Sequence, residues 1–241
     1  MFGTPSDLDI LAIAAHRDDV EQTCGGTLLK AAQRGRRTGI LDLTQGEMGT
    51  RGTAEDRARE AADAARILGA GWRQALDIPD SRVENTWENR LKVASVIRQT
   101  RPRVVILPYW KGRHPDHYTC SVLGYEACFL AGLAKLDLHS TPHRPFKIIY
   151  ATLYYDVRPT FVVDISEQFE LKFASILAYK SQFSDQEAGK DLFPVHAEIR
   201  ARVDAMARYY GMLGGVTYGE PFLQKEVGLV DDLLAIPVKS I

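Results

Sequence analysis

The sequence predicts an α/β fold built on a mainly parallel sheet flanked by helices, with the sheet turning mixed toward the C-terminal half. Three observations carry that expectation. Short, nearly continuous apolar runs such as Leu8 to Ala15 (LDILAIAA) and Val104 to Tyr109 (VVILPY) read as strands covered on both faces, as in the interior of a parallel sheet. They alternate with longer segments whose apolar residues recur at helical spacing, which implies crossover connections. A chain of 241 residues also buries a sizeable core without covalent staples, so a single domain over 1–241 is expected.

Taken in order, Leu8 to Ala15 is the first central strand. From Val20 the pattern becomes helical through Leu28, Leu29 and Ala32 and stops at Gly35, with Asp18 or Asp19 placed to cap the helix. Thr38 to Leu43 gives a second strand, and Thr53 to Leu68 an Ala-, Arg- and Glu-rich helix ended by Gly69. A weaker strand over Trp72 to Ile78 leads to a helix over Trp87 to Gln99 carrying Leu91, Val93, Val96 and Ile97, and then to the Val104 to Tyr109 strand. The second half is less regular: a helix from His117 to about Leu133, strands near Lys147 to Tyr154 and Thr160 to Asp164, and helices around Glu167 to Ser181 and His196 to Tyr209. Ser184 to Pro194 and Gly211 to Pro221 read as surface loops able to border a cleft, because Gly, Asp and Pro punctuate them.

Composition narrows the function classes. Thirty basic residues against 31 acidic ones leave a net charge of −1, which argues against nucleic-acid or anionic-membrane partners. Cys24, Cys120 and Cys128 form an odd, scattered set without a Cys-x-x-Cys spacing, so neither a disulfide framework nor a thiolate zinc knuckle is expected, and a reducing cytoplasm fits. Met1 to Ile10 has no basic segment before its apolar run, and no stretch approaches the roughly 18 apolar residues of a membrane span. The first strand-to-helix turn reads A-A-H-R-D-D in place of Gly-x-Gly-x-x-Gly, and two carboxylates there would repel a pyrophosphate, so a nucleotide site is disfavoured.

The chemistry concentrates in two clusters: Ala15-His16-Arg17-Asp18-Asp19 after the first strand, and His114-Pro115-Asp116-His117 after the Val104 to Tyr109 strand. In an open parallel sheet, loops at the carboxyl ends of neighbouring strands converge, so the two clusters are expected to meet. Together they offer His, Asp and His ligands and a spare carboxylate, the kit for an open metal site. Zinc suits this donor set, one ion per chain, although iron or manganese accepts the same nitrogen and oxygen mix. Of the adjacent Asp18 and Asp19, one can bind metal while the other accepts a proton from a water whose pKa the metal lowers from about 16 to about 7. His114 and His117 can divide in the same way, one as ligand and one as proton donor or oxyanion stabiliser, with Asp116 orienting the His114 ring. Each cluster also has a plainer reading, a helix cap or turn with a solvated histidine. His139, His143 and His196 stand apart and read as packing or surface residues.

At these residues the chain resembles the PIG-L (LmbE-like) family of metal-dependent N-acetylglucosamine deacetylases, whose paired signatures are A-H-P-D-D and H-x-x-H. The similarity runs through Asp18-Asp19-Val20-Glu21, Cys24-Gly25-Gly26-Thr27-Leu28, Asp42-Leu43-Thr44, the Arg57 to Gly69 helix and Arg113-His114-Pro115-Asp116-His117. Phe161-Val162-Val163-Asp164-Ile165 and Tyr179-Lys180-Ser181-Gln182-Phe183 look like the branch that deacetylates N-acetylglucosaminyl malate in bacillithiol biosynthesis. The resemblance implies a Rossmann-like, LmbE-like fold. It makes His16, Asp19 and His117 the zinc ligands, Asp18 the general base and His114 the residue for charge stabilisation or acid catalysis. It also makes self-association into a homo-oligomer an expectation. Arg17 departs from the family's Pro, which removes a fixed φ from the loop and is expected to add a cation near the pocket.

The implied substrate carries two malate carboxylates, for which Arg51, Arg57, Lys111 and Arg113 are candidate partners, Arg57 and Arg113 foremost. Glu47 is placed to accept bonds from sugar hydroxyls and Tyr109 to touch the substrate, though each of these residues reads equally as packing or a solvated face. Two competitors remain: a deacetylase of another N-acetylglucosaminide, and a metal- or sugar-binding protein without turnover.

Overall fold

The structure, a computed structural model, describes residues 7–184 and 196–238. β1 (Ile10–Ala14) leads through α1 (Asp19–Gln33) to β2 (Thr38–Asp42), then α2 (Ala54–Ile67), β3 (Trp72–Ala75), α3 (Trp87–Thr100) and β4 (Val104–Pro108). There follow α4 (Pro115–Ala131), β5 (Lys147–Ala151), β6 (Phe161–Asp164), α5 (Phe169–Leu177), α6 (Lys180–Phe183), α7 (His196–Gly214) and β7 (Gly219–Leu223). The strands form one sheet in the order β3-β2-β1-β4-β5-β7-β6, parallel from β3 to β5, with β7 antiparallel to both of its neighbours.

The chain winds outward from β1 in both directions. β2 and β3 lie on one side of it and β4 on the other, so a crevice opens where the carboxyl ends of β1 and β4 part, the place where α/β sheets bind ligands. Alternation along β1 supplies both layers: Leu11 and Ile13 enter a core that includes Val93 and Ile97 of α3 and Leu123 and Ala127 of α4, while Ala12 and Ala14 face Val20, Cys24 and Leu28 of α1. α2 starts as its sequence requires, with Thr53 and Asp56 in a reciprocal capping box, and ends before Gly69 at φ 66°.

Three expectations change. α1 is broken at Cys24 (φ −135°, ψ 16°), and the amides freed there are taken by Glu220 of β7, which accepts from Gly26 N at 2.9 Å and Thr27 N at 2.7 Å. Lys172 Nζ balances that buried carboxylate at 2.5 Å. The Gly211 to Pro221 segment is not a loop: α7 runs on to Gly214, and β7 occupies Gly219–Leu223. Pro221 hid the strand. It is tolerated inside the sheet because β5 pairs only with Phe222 and Leu223, so the donor that proline lacks is not needed on that side. The helix expected over Glu167 to Ser181 is two, α5 and α6, separated at Tyr179. Beyond Ser184, the expected Ser184 to Pro194 loop lies outside the described residues.

Candidate active site

The first cluster leaves β1 at Ala14 and turns sharply into α1. Asp18 sits at the N-cap with φ 102° and ψ −22°, a left-handed conformation that costs a residue bearing a Cβ on the order of 1–3 kcal/mol. Its carboxylate makes no capping bond, so the expected cap from Asp18 is not formed. Asp19 does not supply one either, because its Oδ2 reaches back to accept the His16 backbone N–H at 3.0 Å and closes the turn. The strained turn therefore leaves Asp18 free for chemistry.

Neighbouring β1 and β4 bring the second cluster alongside. His16 Nδ1 lies 3.2 Å from His117 Nε2, His117 Nε2 lies 3.2 Å from Asp19 Oδ1, and Asp19 Oδ2 lies 3.5 Å from His16 Nδ1. The contacts run through four atoms, His117 meeting one Asp19 oxygen and His16 the other; donors held about 2.1 Å from one tetrahedral ion are separated by roughly 3.4 Å, so the two ring nitrogens and the carboxylate are spaced as ligands of one ion are. Burial works against charge on Asp19, yet His117 and His16 hold its carboxyl well below the usual range, so it stands ionised as a ligand must.

The other face of His16 is gripped by carboxylates. Nε2 lies 3.1 Å from Asp80 Oδ1 and 3.2 Å from Asp116 Oδ2. Burial opposes a charge on this ring, but Asp116, Asp19 and Asp80 together push its pKa up to about 12. A ring with that pKa carries protons on both nitrogens at neutral pH; the two acceptors hold the one on Nε2, so an ion that binds at Nδ1 has to displace the proton there. Asp116 also accepts Ser81 N at 2.8 Å and Val83 N at 3.3 Å, and its side chain is buried beneath the histidines. Contrary to the expectation from sequence, the Asp116 carboxylate orients His16, not His114, and it lies too deep to touch a substrate.

His114 differs from its two neighbours in its tautomer. Its Nδ1 accepts the backbone N–H of Asp116 at 3.2 Å, so in the neutral ring the proton resides on Nε2. Burial and the nearby positive charges of His16 and His117 lower its pKa, which favours that neutral form. Its nitrogen lies within 4.8 Å of those of His16 and His117, yet Nε2 presents N–H rather than a lone pair. The neutral ring thus has an N–H at Nε2 to donate.

Asp18 completes the set. Burial pushes its pKa up to about 7 against the pull of Arg57, whose Nη2 lies 3.4 Å from Asp18 Oδ1. Arg57 is buried, and it also donates to Gly46 O at 3.5 Å and to the carbonyl of Arg17. Its guanidinium faces the protein, so Arg57 positions the Asp18 carboxylate and does not reach for substrate as the sequence suggested. Deeper still, Arg73 of β3 binds Asp42 through two bonds of 2.8 and 2.9 Å and Glu21 at 2.6 Å, and Tyr179 donates to Glu21 at 3.2 Å. This buried network ties the ends of β2 and β3 to the first turn of α1.

Around the mouth the structure sorts the remaining candidates. Tyr109 and Lys111 line a narrow pocket with Asp19, His117, Thr23 and Leu153. Arg113 is exposed over the Tyr154 ring at 4.7 Å, and Tyr154 donates to Gln22 at 2.8 Å. Glu47 accepts the backbone N–H of Asp80 at 2.8 Å, so one of its oxygens is spent on the protein, which weakens it as a sugar ligand. Arg51 is buried and donates to Gln182 O and Ser184 O. Arg17 turns away from the pocket to donate to Gln45 O and Ala54 O, against the expectation of a cation near the centre. Asp80 was missed by sequence reasoning. Its signal was its place just past the carboxyl end of a third parallel strand, in the turn Ile78-Pro79-Asp80-Ser81.

This geometry agrees with what the chain is similar to. The profile of the GlcNAc-PI de-N-acetylase family, PIG-L, matches residues 11–128. Diacetylchitobiose deacetylase from Thermococcus kodakarensis is 33% identical over 231 residues, covering 88% of this chain and 80% of its own. The chain belongs to the PIG-L family. Among solved structures, the conserved protein TT1542 from Thermus thermophilus matches with a TM-score of 0.84 at 42% identity, over 93% of this chain and 98% of that one. N,N'-diacetylchitobiose deacetylase from Pyrococcus horikoshii, complexed with its inhibitor MPG, matches with a TM-score of 0.79 at 28% identity, over 92% and 86%. As a PIG-L member the protein is an amide-hydrolysing enzyme. In this PIG-L enzyme the matched segment contains both histidine clusters, Asp80 and Arg57, whereas Tyr154 at the mouth lies beyond it.

Proposed function

We propose that this PIG-L enzyme is a zinc-dependent deacetylase of an N-acetylglucosaminide, with N-acetylglucosaminyl malate of bacillithiol biosynthesis as its substrate. The observation that carries the reading is that His16, Asp19 and His117 bring donor atoms within 3.2–3.5 Å of one another, with the Asp18 carboxylate and the His114 ring beside them. Zinc fits two imidazoles and a carboxylate with a position left for solvent, and iron or manganese fits the same donors. An ion held there supplies an acidified water and polarises the acetamide oxygen.

The protein's own groups do the rest. Asp18, poised near neutrality, accepts the proton of the attacking water. His114 Nε2–H donates to the oxygen on which negative charge develops. The proton held on Asp18 passes to the amide nitrogen, the C–N bond breaks, and acetate and a free glucosaminyl amine leave. Lys111 at the pocket wall and Arg113 at its mouth supply two cations for the two malate carboxylates, and Tyr109 offers a face for the sugar. A second substrate, an N-acetylated glucosamine disaccharide, is favoured by the activity for which the Thermococcus relative is named.

The same proposal includes one domain over the whole chain, as the single seven-stranded sheet suggests, and a reducing compartment such as the cytoplasm, which three free buried cysteines suit. Among the described residues no helix is long and apolar enough to cross a membrane. Self-association is supported by the outward stripe of Tyr118, Val122, Tyr125 and Phe129 on α4, each 40–55% exposed. Amine release from N-acetylglucosaminyl malate and from diacetylchitobiose tests the activity and ranks the substrates. Asp18→Ala is expected to abolish release while the protein keeps one zinc per chain. Metal-loaded enzyme that frees no acetate from any N-acetylglucosaminide overturns the reading in favour of a binding protein.

A further inference from the structure

We infer that Arg17 is a positioning residue that clamps the 45–54 loop so that the loop holds Asp80 against His16. The inference rests on the reading of His16 as a metal ligand. Arg17 is buried although it lies in the metal loop itself, and its Nη1 donates to Gln45 O at 3.2 Å and Ala54 O at 2.7 Å, the two ends of the loop between β2 and α2. One guanidinium thus closes the base of the loop.

What the loop does with that closure is visible at its tip. Met48 N donates to Asp80 Oδ2 at 3.0 Å and Glu47 Oε1 accepts from Asp80 N at 2.8 Å, so the loop grips Asp80 by both side chain and backbone. The remaining oxygen, Asp80 Oδ1, is the one 3.1 Å from His16 Nε2. The observed shape admits no side chain at two of its glycines. Gly46 and Gly52 sit at φ 73° and 70°, and a Cβ at Gly46 would strike the Arg57 guanidinium, while one at Gly52 would meet Ser181 at 2.6 Å. The carbonyl of Arg17 is also held by Arg57, the partner of Asp18. Side chain and backbone of one residue therefore serve a ligand and the base through separate contacts. A residue without donors at this position leaves Gln45 O and Ala54 O without their guanidinium; Arg57 still holds Gly46 O and Gln182 still holds Arg51, so the loop stays in place but loses the tie between its two ends, and the approach of Asp80 to His16 loosens.

The test is Co2+ titration of chelator-stripped enzyme followed by visible absorbance, on wild type, Arg17→Ala, Asp80→Asn and the double variant, with a thermal melt of each to confirm folding. Loss of an outer contact to a metal-binding histidine typically weakens metal affinity 10–100-fold, and each single variant is expected in that range. The double variant is expected to be no weaker than Asp80→Asn alone, because both substitutions break one chain of contacts. Turnover by Arg17→Ala is expected to fall in kcat with KM changed less than about twofold, since the clamp touches no substrate. Arg17→Lys offers one ammonium to two divergent carbonyls and should lose affinity to an intermediate degree; it replaces the alanine variant if that does not fold. Co2+ affinity in Arg17→Ala equal to wild type, or losses that multiply in the double variant, overturns the clamp. Wild-type enzyme that takes up no Co2+ overturns the metal reading itself, and that failure is seen before any variant is compared.

Discussion

The floor and the rim of the crevice are built on different principles. On the floor His16 is held through both ring nitrogens, Asp116 accepts three bonds, His114 is fixed by a backbone amide, and Asp18 is paired with Arg57. At the rim Arg113 rests on one aromatic ring, Tyr154 is more than half exposed, and Lys111 stands in solvent. Chemistry demands ligands placed within a fraction of an ångström, which only multiply bonded groups on rigid strand ends provide, whereas recognition of a variable leaving group tolerates single, solvated contacts. The difference fits the proposed division, with catalysis in the floor and substrate preference in the rim.

Four substitutions sharpen or break that division, from the largest effect to the smallest. His117→Ala removes one corner of the donor triangle and is expected to abolish both turnover and zinc content, read by metal analysis of the purified protein. Asp116→Asn keeps the shape but weakens the acceptor on His16, and zinc affinity measured by chelator competition should fall about 10–100-fold with KM little changed. Arg57→Gln acts on the base: its charge pulls the Asp18 pKa down, so without it Asp18 ionises only at higher pH. The acidic limb of the kcat/KM profile should therefore move up in pH, from about 7 into the range above neutrality, so that activity at pH 7–8 falls and is recovered at higher pH; an unmoved limb would separate Arg57 from the base. Arg113→Ala is the mildest, raising KM for an anionic substrate by about twofold to fivefold at constant kcat, as suits an exposed charge. A large kcat loss there would dissolve the distinction between floor and rim.

Legibility followed the same line. The order of strands and helices through Ala131 was readable, because buried parallel strands are apolar runs and their crossovers carry helical period. β7 was hidden by Gly219 and Pro221, residues that mark turns unless the neighbouring ladder happens to spare the proline, which depends on where β5 ends. Within the site, the histidines and Asp18-Asp19 stood out as short motifs after strands. The partners of Arg57, Arg17 and Glu47 were not legible because a charged side chain in a sequence shows its chemistry and not its partner. Each of them spends its charge on a backbone or carboxylate contributed by a distant segment. Asp80 shows the converse, a turn aspartate with no motif around it, made functional by the ring it faces.

By itself the sequence determined the α/β architecture and marked the two His and Asp clusters as candidate donors, since hydrophobic period and residue chemistry are local properties of the chain. Tertiary structure alone decided which carboxylates and amides face each histidine nitrogen, which aspartate is strained and left uncapped, and which arginines are turned onto carbonyls and carboxylates of the protein. Those outcomes depend on distances between segments far apart in the chain, and a few ångströms separate a ligand from a brace.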